Sequence, residues 1–205
     1  MVTDVMAAGV EIEISLVMLL GLLSGSDPQA AALVLRQMRS VADQEKAVLN
    51  VAKARLPPED FDITKIATKA IEAHRKRRNR FAHNPWACSP DELPGAIFLI
   101  ETSALSHYLA GISSHIPSER AGLAPFEIQD DDVYRAPEIR RAREEARDAA
   151  AVMRLLVGYL TKRYRRDLVR GDAGIDAALA ELRAVTPFAD AENEFRARVS
   201  KRRQG

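Results

Sequence analysis

From Ile139 to Leu160 the apolar residues alternate in steps of three and four: Ile139, Ala142, Ala146, Ala149, Met153, Leu156 and Leu160. That spacing tracks the 3.6-residue turn of an α-helix, so it draws one apolar stripe along a single helix, expected from about Pro137 to Arg165. A strand, with its period of two, cannot carry it. A stripe of this length has to be covered by other elements. Its first half is lined by Ala, which lets a neighbour approach closely.

The covering elements are legible upstream. A first helix is expected from about Thr3 to Leu23, capped by Thr3 or Asp4 and ended by Ser24-Gly25-Ser26, where Gly25 can take the left-handed stop. Asp27 caps a second helix with Pro28 at its first position. Its faces hold Val34, Met38, Val41, Val48 and Ala52, and it runs to about Leu56, where Pro57-Pro58 ends it. A third helix is expected from about Asp62 to Ala82, with Ile63, Ile66, Ala67, Ala70 and Ile71 as its stripe. Four long helices with short or looped links predict a mainly all-α fold, an antiparallel up-down four-helix bundle.

Between the third and fourth helices, residues 87–134 form an irregular excursion broken by Pro90, Pro94, Pro117 and Pro125. Ala96 to Ile100 is compatible with a strand, and Gln129 to Tyr134 could be its partner in a short β-hairpin. Ser103 to Leu109 could make one or two helical turns. Beyond Arg165 the pattern weakens into a helix over Asp172 to Arg183 and another helix or frayed tail over Asp190 to Lys201. The expected organisation is a helical bundle over 1–165 with a C-terminal helical appendage or tail over 166–205.

Composition narrows the function. The one cysteine, Cys88, rules out a disulfide framework within the chain and a four-cysteine zinc site. Formal net charge is +1, so affinity for nucleic acid has to come from local clustering. No Lys or Arg precedes the first apolar run, and its longest block, Leu16 to Leu23, is short of the roughly 20 residues of a membrane span. We expect a buried core helix, no membrane and a cytoplasmic location.

The cluster that carries chemistry lies at the end of the third helix, in His74-Arg75-Lys76-Arg77-Arg78-Asn79-Arg80-Phe81-Ala82-His83-Asn84-Pro85-Trp86. Continued along the helix, the stripe passes through His74, between Arg77 and Arg78, and then to Phe81. Arg78 is thus directed at a helix seam, where it needs an anion or a carboxylate; Glu11 or Glu13 on the first helix could supply the carboxylate. Arg75, Lys76 and Arg80 are expected on the outer face. On an unbroken helix His83 lies about 140° around the axis from Arg78. Asn84-Pro85 is expected to unwind the chain near Ala82 and let the imidazole swing back. A guanidinium that holds phosphate and an imidazole that moves a proton are what RNA strand cleavage requires, with no metal and no cofactor. Arg75, Lys76, Arg77 and Arg80 form a candidate phosphate-binding surface, and Trp86 could stack on a base or plug the core edge. His107 and His115 are expected at the surface. Lys162, Arg163, Arg165, Arg166 and Arg170, with Lys201-Arg202-Arg203, read as a solvated basic tail that could add RNA contacts.

Arg78-Asn79-Arg80-Phe81-Ala82-His83, at the end of a third amphipathic helix and followed by Asn-Pro-Trp, resembles the HEPN family (higher eukaryote and prokaryote nucleotide-binding domains), whose signature is Arg, four to six residues, then His, often with Asn after the Arg. The resemblance covers residues 1–165. It implies a metal-independent endoribonuclease that acts as a homodimer with two motifs facing each other, as a toxin or defence effector with a possible antitoxin protein as partner. His83 would take the ribose 2′-hydroxyl proton or protonate the leaving oxygen, Arg78 would hold the phosphate, and Asn79 would orient the His or contact phosphate. The alternative is a non-catalytic helical module that binds nucleotide or RNA, or serves as a regulator or interaction bundle. Some family members carry a Tyr two residues after the His, which a partner nucleotidyltransferase modifies; Pro85 stands there, so that mode of neutralisation gains no support.

Overall fold

The computed structural model describes residues 2–84, 86–88, 95–100, 133–165 and 174–204, and it is predominantly helical with one small antiparallel sheet. Helix α1 spans Val2–Ser24, and Gly25 follows it with φ +68°, the left-handed stop its position called for. Val5, Ala8, Ile12, Leu16, Leu19 and Leu23 are buried along one side of α1. By length and composition α1 could cross a membrane, although its longest uninterrupted apolar block is short; half of its most apolar window is buried inside this fold.

The expected second helix is two helices, α2 (Pro28–Arg36) and α3 (Val41–Arg55). Asp27 caps α2, its side chain accepting from Gln29 N–H at 2.6 Å. The break at Gln37–Ser40 is made by a second cap. Ser40 is extended, its hydroxyl accepts from Asp43 N–H at 3.2 Å, and Gln44 Nε2 donates to the Leu35 carbonyl at 3.2 Å. These bonds satisfy backbone groups that a helix end leaves open, so two ends cost little here. Helices α2 and α3 each pack on α1.

The third expected helix is also divided, into α4 (Pro58–Ala70) and α5 (Glu72–His83), with only Ile71 between them at φ −88°, ψ −5°. Arg75 N–H donates to the Ile71 carbonyl at 3.0 Å, so the interruption is a single residue and the stripe continues through it. Helix α5 then runs on through His83, and Asn84, extended, closes it with its N–H on the Arg80 carbonyl. The chain does not unwind near Ala82 as expected. A residue before Pro avoids the helical region, and Asn84 alone absorbs that restriction.

Strand β1 (Trp86–Ala87) pairs antiparallel with β2 (Ala96–Leu99), which pairs antiparallel with β3 (Val133–Arg135) in the order β1-β2-β3. The register sets Trp86 opposite Leu99 and Ile97 opposite Tyr134. The expected strand at 96–100 and the end of its partner are present, and β1 makes the hairpin a three-stranded sheet. Ser103 to Leu109, Gln129 to Asp132, His107, His115, Arg166 and Arg170 lie outside the described residues.

Helix α6 (Ala136–Tyr164) matches its predicted span and buries Ile139, Ala142, Ala146, Ala149, Met153, Leu156 and Leu160, the stripe read from sequence. Its most extensive packing is against α1, where the Ala-lined half allows the approach. The ion pairs Asp4–Arg143 and Glu11–Arg154 step in the same sense along α1 and α6. A strict up-down order would set its first and last helices antiparallel, which these two pairs do not show. Helices α7 (Ile175–Ala184) and α8 (Thr186–Gln204) add Ala178, Leu182 and the fully buried Phe188 to the same core.

The buried carboxylate of Asp60, in the first turn of α4, ties that helix to the end of α6. Tyr159 donates to it at 2.6 Å, the Arg163 Nε lies at 2.7 Å, and the Tyr164 hydroxyl also donates. Arg163 is therefore not part of a solvated tail. Burial and the Asp60 hydrogen bond push the Tyr159 phenol above its usual range and lift Tyr164 to about 12, so both remain donors at any ordinary pH. Tyr159→Phe should lower the unfolding free energy by about 1–3 kcal/mol, because a buried carboxylate loses one of its donors. Urea denaturation measures this, and a change under about 0.5 kcal/mol would contradict the role given to Asp60.

Candidate functional site

Helix α5 carries the motif, and two neighbours set the environment of each residue on it. His74 and Phe81 are buried, Arg77 and Arg78 half-buried, and Lys76, Asn79, Arg80 and His83 exposed. The stripe therefore placed Arg78 correctly at a seam. Phe81 anchors the C-terminal end, with its ring centroid 5.5 Å from Trp86 and 4.9 Å from Tyr134. Trp86 Nε1 donates to the Phe81 carbonyl at 3.0 Å. Trp86 thus plugs the sheet against α5 while 41% of it stays exposed, which leaves ring surface for a stacked base.

Arg78 lies across α1 at Gly9. A Cβ on Gly9 would stand 3.2 Å from the Arg78 Nε and 3.3 Å from its Cγ, so a larger residue there would have to press the Arg78 stem aside by a few tenths of an ångström. The guanidinium end is loosely held: Nη2 is 3.4 Å from Glu13 Oε1, and Nη1 is 3.4 Å from Asn79 Oδ1. Both are long for charge-assisted bonds, which prefer about 2.7–2.9 Å. Of the two expected carboxylates Glu13 is the one that meets Arg78; Glu11 faces Arg154 at 3.4 Å. His83 is at the exposed end of the same unbroken helix, five residues on, and so projects about 140° away from Arg78. The two do not converge within one chain.

The surrounding cations are more committed than the sequence implied. Arg75 was expected on the outer face, but it is half-buried in an ion pair with Glu45 of α3, because the split of the second helix brings α3 alongside. Arg77 pairs with Glu145 of α6, and Lys76 with Glu72 at 2.8 Å. Hydrogen bonds from Lys69 and Lys76 hold the Glu72 carboxyl down at about 2. A groove of about 270 Å³ between α4 and α8 is lined by Glu45, Leu49, Lys65, Glu72, Phe195 and Arg198 among others. Its cations are likewise matched: Lys65 sits over the Phe195 ring at 5.1 Å, and Arg198 meets Glu194 at 3.3 Å.

Sequence reasoning missed Gly9 and Glu45. The available signals were a lone glycine inside an apolar helix and a Glu that becomes half of a buried pair. Burial raises the Glu45 carboxyl against the pull of Arg75. Among the described residues no cluster of His, Cys, Asp and Glu has the makings of a metal site. No protein-family model, no curated protein and no solved structure matches the chain.

Burial pushes the His74 imidazole down to about 4, with Arg77 and Arg78 adding to the shift. Its folded pKa lies below the ordinary 6.5, so its contribution to stability is full above pH 6.5 and is lost as pH falls toward 4. Glu45, shifted upward, changes stability in the opposite sense through the carboxylate range. We expect His74 to remove about 1–2 kcal/mol of unfolding free energy between pH 7 and pH 5. His74→Gln should flatten that slope in denaturant titrations; an unchanged slope would contradict the assignment.

Proposed function

We propose that the protein is a metal-independent endoribonuclease of HEPN type that acts as a homodimer, with a role as a toxin or defence effector. The observation that carries the reading is Arg78: a guanidinium held at a helix seam by 3.4 Å contacts, with its end still partly in solvent, on the helix that ends in the exposed His83. The four long elements of the bundle are then α1, α3, α4 with α5, and α6. The proposed reaction is attack of the ribose 2′-oxygen on the adjacent phosphorus. A new 2′-O–P bond forms, the P–O5′ bond breaks, the His83 imidazole takes the 2′-hydroxyl proton and a solvent water protonates the leaving 5′-oxygen. Arg78 offsets charge on the phosphoryl oxygens. Asn79 flanks it, and Lys76, Arg80 and the open ring face of Trp86 extend the contact along the strand.

Because Arg78 and His83 of one chain point apart, the reading places Arg78 with the His83 of a second copy. An exposed apolar stripe supports such a pairing: Val10, Ile14 and Met18, at 51%, 57% and 44% exposure, lie along α1 one step around from Gly9 and Glu13, which meet Arg78. Burying that stripe against itself would bring two copies of the Arg78 seam to one two-fold axis.

A second reading has its own support. Arg78 faces Glu13, and Arg75 and Arg77 pair with carboxylates, which suits a non-catalytic module in which α5 braces the bundle. The two part on RNA cleavage in EDTA. His83→Ala should slow cleavage by about 10²- to 10⁴-fold, and the product should end in a cyclic phosphate. Arg78→Lys should not restore the wild-type rate, since an ammonium lacks the planar pair of donors. Equal RNA decay by wild type and a folded His83→Ala would leave the bracing module as the function. Separately, Ile14→Lys should shift the protein toward monomer in sedimentation velocity at micromolar concentration; an unchanged sedimentation coefficient would remove α1 as the contact.

A further inference from the structure

Helix α5 ends on a carbonyl that its own backbone cannot satisfy. In a continuing helix the Phe81 carbonyl would accept from the N–H four residues on, and that residue is Pro85, which has none. Trp86 supplies the missing donor, its Nε1–H donating to the Phe81 carbonyl at 3.0 Å. Strand β1 sets the Trp86 backbone opposite Leu99, and the buried Phe81 ring packs on the indole at a 40° tilt, 5.5 Å between centroids. The indole is thus fixed by backbone pairing, one hydrogen bond and one ring contact, yet 41% of the residue stays exposed. Holding the N–H inside and the ring outside is the arrangement of a contact surface rather than of a core plug. The ring also lies close to the Arg78 turn. Three residues separate Arg78 from Phe81, about 4.5 Å along the helix axis, against a rise of about 3.4 Å per nucleotide of a stacked strand. One turn beyond Arg78 on the same side of α5 stands exposed Ala82, whose side chain is only a methyl group.

We propose that Trp86 is a specificity-determining base platform: it stacks the nucleobase next to the phosphate that Arg78 holds, and it favours a purine there. A ring already fixed binds a base without first losing side-chain freedom. Every base has a π-face and a purine offers the larger one, so the platform grades bases by stacking strength. It does not read their edges, because the one indole N–H is spent on the Phe81 carbonyl. A base can lie on the indole only when it is out of a duplex, so the nucleotide at this position is unpaired. The occupant is a nucleotide rather than an apolar side chain of a partner protein because the ring stands one turn from a guanidinium whose outer nitrogens have only 3.4 Å contacts. That pairing of an aromatic face with a cation suits a base joined to a phosphate. The inference rests on the reading of Arg78 as the phosphate-holding group, but stacking can be observed without cleavage.

Trp86 is the one tryptophan of the chain, so tryptophan fluorescence reports this ring alone. The full chain is titrated in EDTA with 2′-O-methyl hexamers of adenosine or of uridine, which carry the bases but lack the free 2′-hydroxyl that cleavage needs. Anisotropy of end-labelled hexamers measures binding independently. The adenosine hexamer should quench Trp86 emission and bind about threefold or more tighter than the uridine hexamer. Trp86→Ala should weaken binding of the adenosine hexamer by about 5- to 150-fold, whereas Trp86→Phe, which keeps a ring on β1 without the bond to Phe81, should lose less. Emission unmoved by bound adenosine hexamer, equal affinity for the two hexamers, or binding of neither would overturn the proposal even if neither variant folds. So would unchanged affinity in a folded Trp86→Ala. A blue shift of the emission as the protein alone is concentrated would mean that a second copy covers the ring, and would overturn it as well. Cleavage of unmodified RNA in EDTA is measured on the same wild-type sample. Quenching with a preference for adenosine in a wild type that leaves RNA intact would reject the nuclease and keep the platform. Cleavage by a wild type that shows neither quenching nor preference would do the reverse.

Discussion

The buried carboxylate of Asp60 fixes the register on which the rest of the molecule depends. It sits at the start of α4 and is held by Tyr159, Arg163 and Tyr164 near the end of α6. The donors leave it little unmet hydrogen-bonding capacity, and the helix N-terminus favours its charge. Farther along, on α5, Arg77 meets Glu145 of α6. From Asp60 to Arg77 the chain travels about 25 Å at 1.5 Å per residue, and the return from the Tyr159–Arg163 turn to Glu145 covers about the same distance. Two polar clamps at matched separation hold the α4–α5 unit antiparallel to α6. A slip of one turn would break both, and would leave Asp60 buried without partners.

That register delivers α5 to the seam with α1. Gly9 admits the stem of Arg78, Phe81 docks on Tyr134 and Trp86, and the guanidinium arrives with its inner nitrogen buried and its outer nitrogens loosely held. The same logic disperses the basic run. What reads in sequence as one stretch of cations becomes a set of separate environments: Arg75 toward Glu45, Arg77 toward Glu145, Lys76 toward Glu72, with Arg80 exposed. Consecutive residues on a helix are 100° apart, so a charge run wraps the helix and its members meet different neighbours.

The strongest periodicity was the most informative. The Ile139–Leu160 stripe located α6 to within a residue at each end and named its buried face, because burial on one face of a helix writes itself into spacing. The α4–α5 stripe likewise put His74 and Phe81 inside and Arg78 at a seam. The split of the second helix was missed because its apolar positions continue across Gln37–Ser40. The signal was present in Ser40-Val41-Ala42-Asp43, a hydroxyl cap with an acidic residue three places on, and went unread against that continuous pattern. The one-residue break at Ile71 carries no glycine, proline or cap to announce it. The partners of Arg75 and Arg77 were beyond reach for another reason: they come from helices 30 and 68 residues away in sequence, and only tertiary packing pairs them. The expected unwinding at Ala82 gave too much weight to Pro85, whose restriction stops at Asn84.

That last difference shapes the functional proposal, since an unbroken α5 keeps Arg78 and His83 of one chain on different faces. If the two act together, they act across a dimer. Subunit complementation tests this most directly. Arg78→Ala and His83→Ala proteins, each inactive alone, are mixed after reversible dissociation. Random re-pairing makes half of the molecules heterodimers, and each heterodimer holds one intact Arg78 facing one intact His83, so RNA cleavage in EDTA should return to about a quarter of the wild-type rate. A mixture no more active than either parent, with heterodimers shown to form, would contradict the shared site.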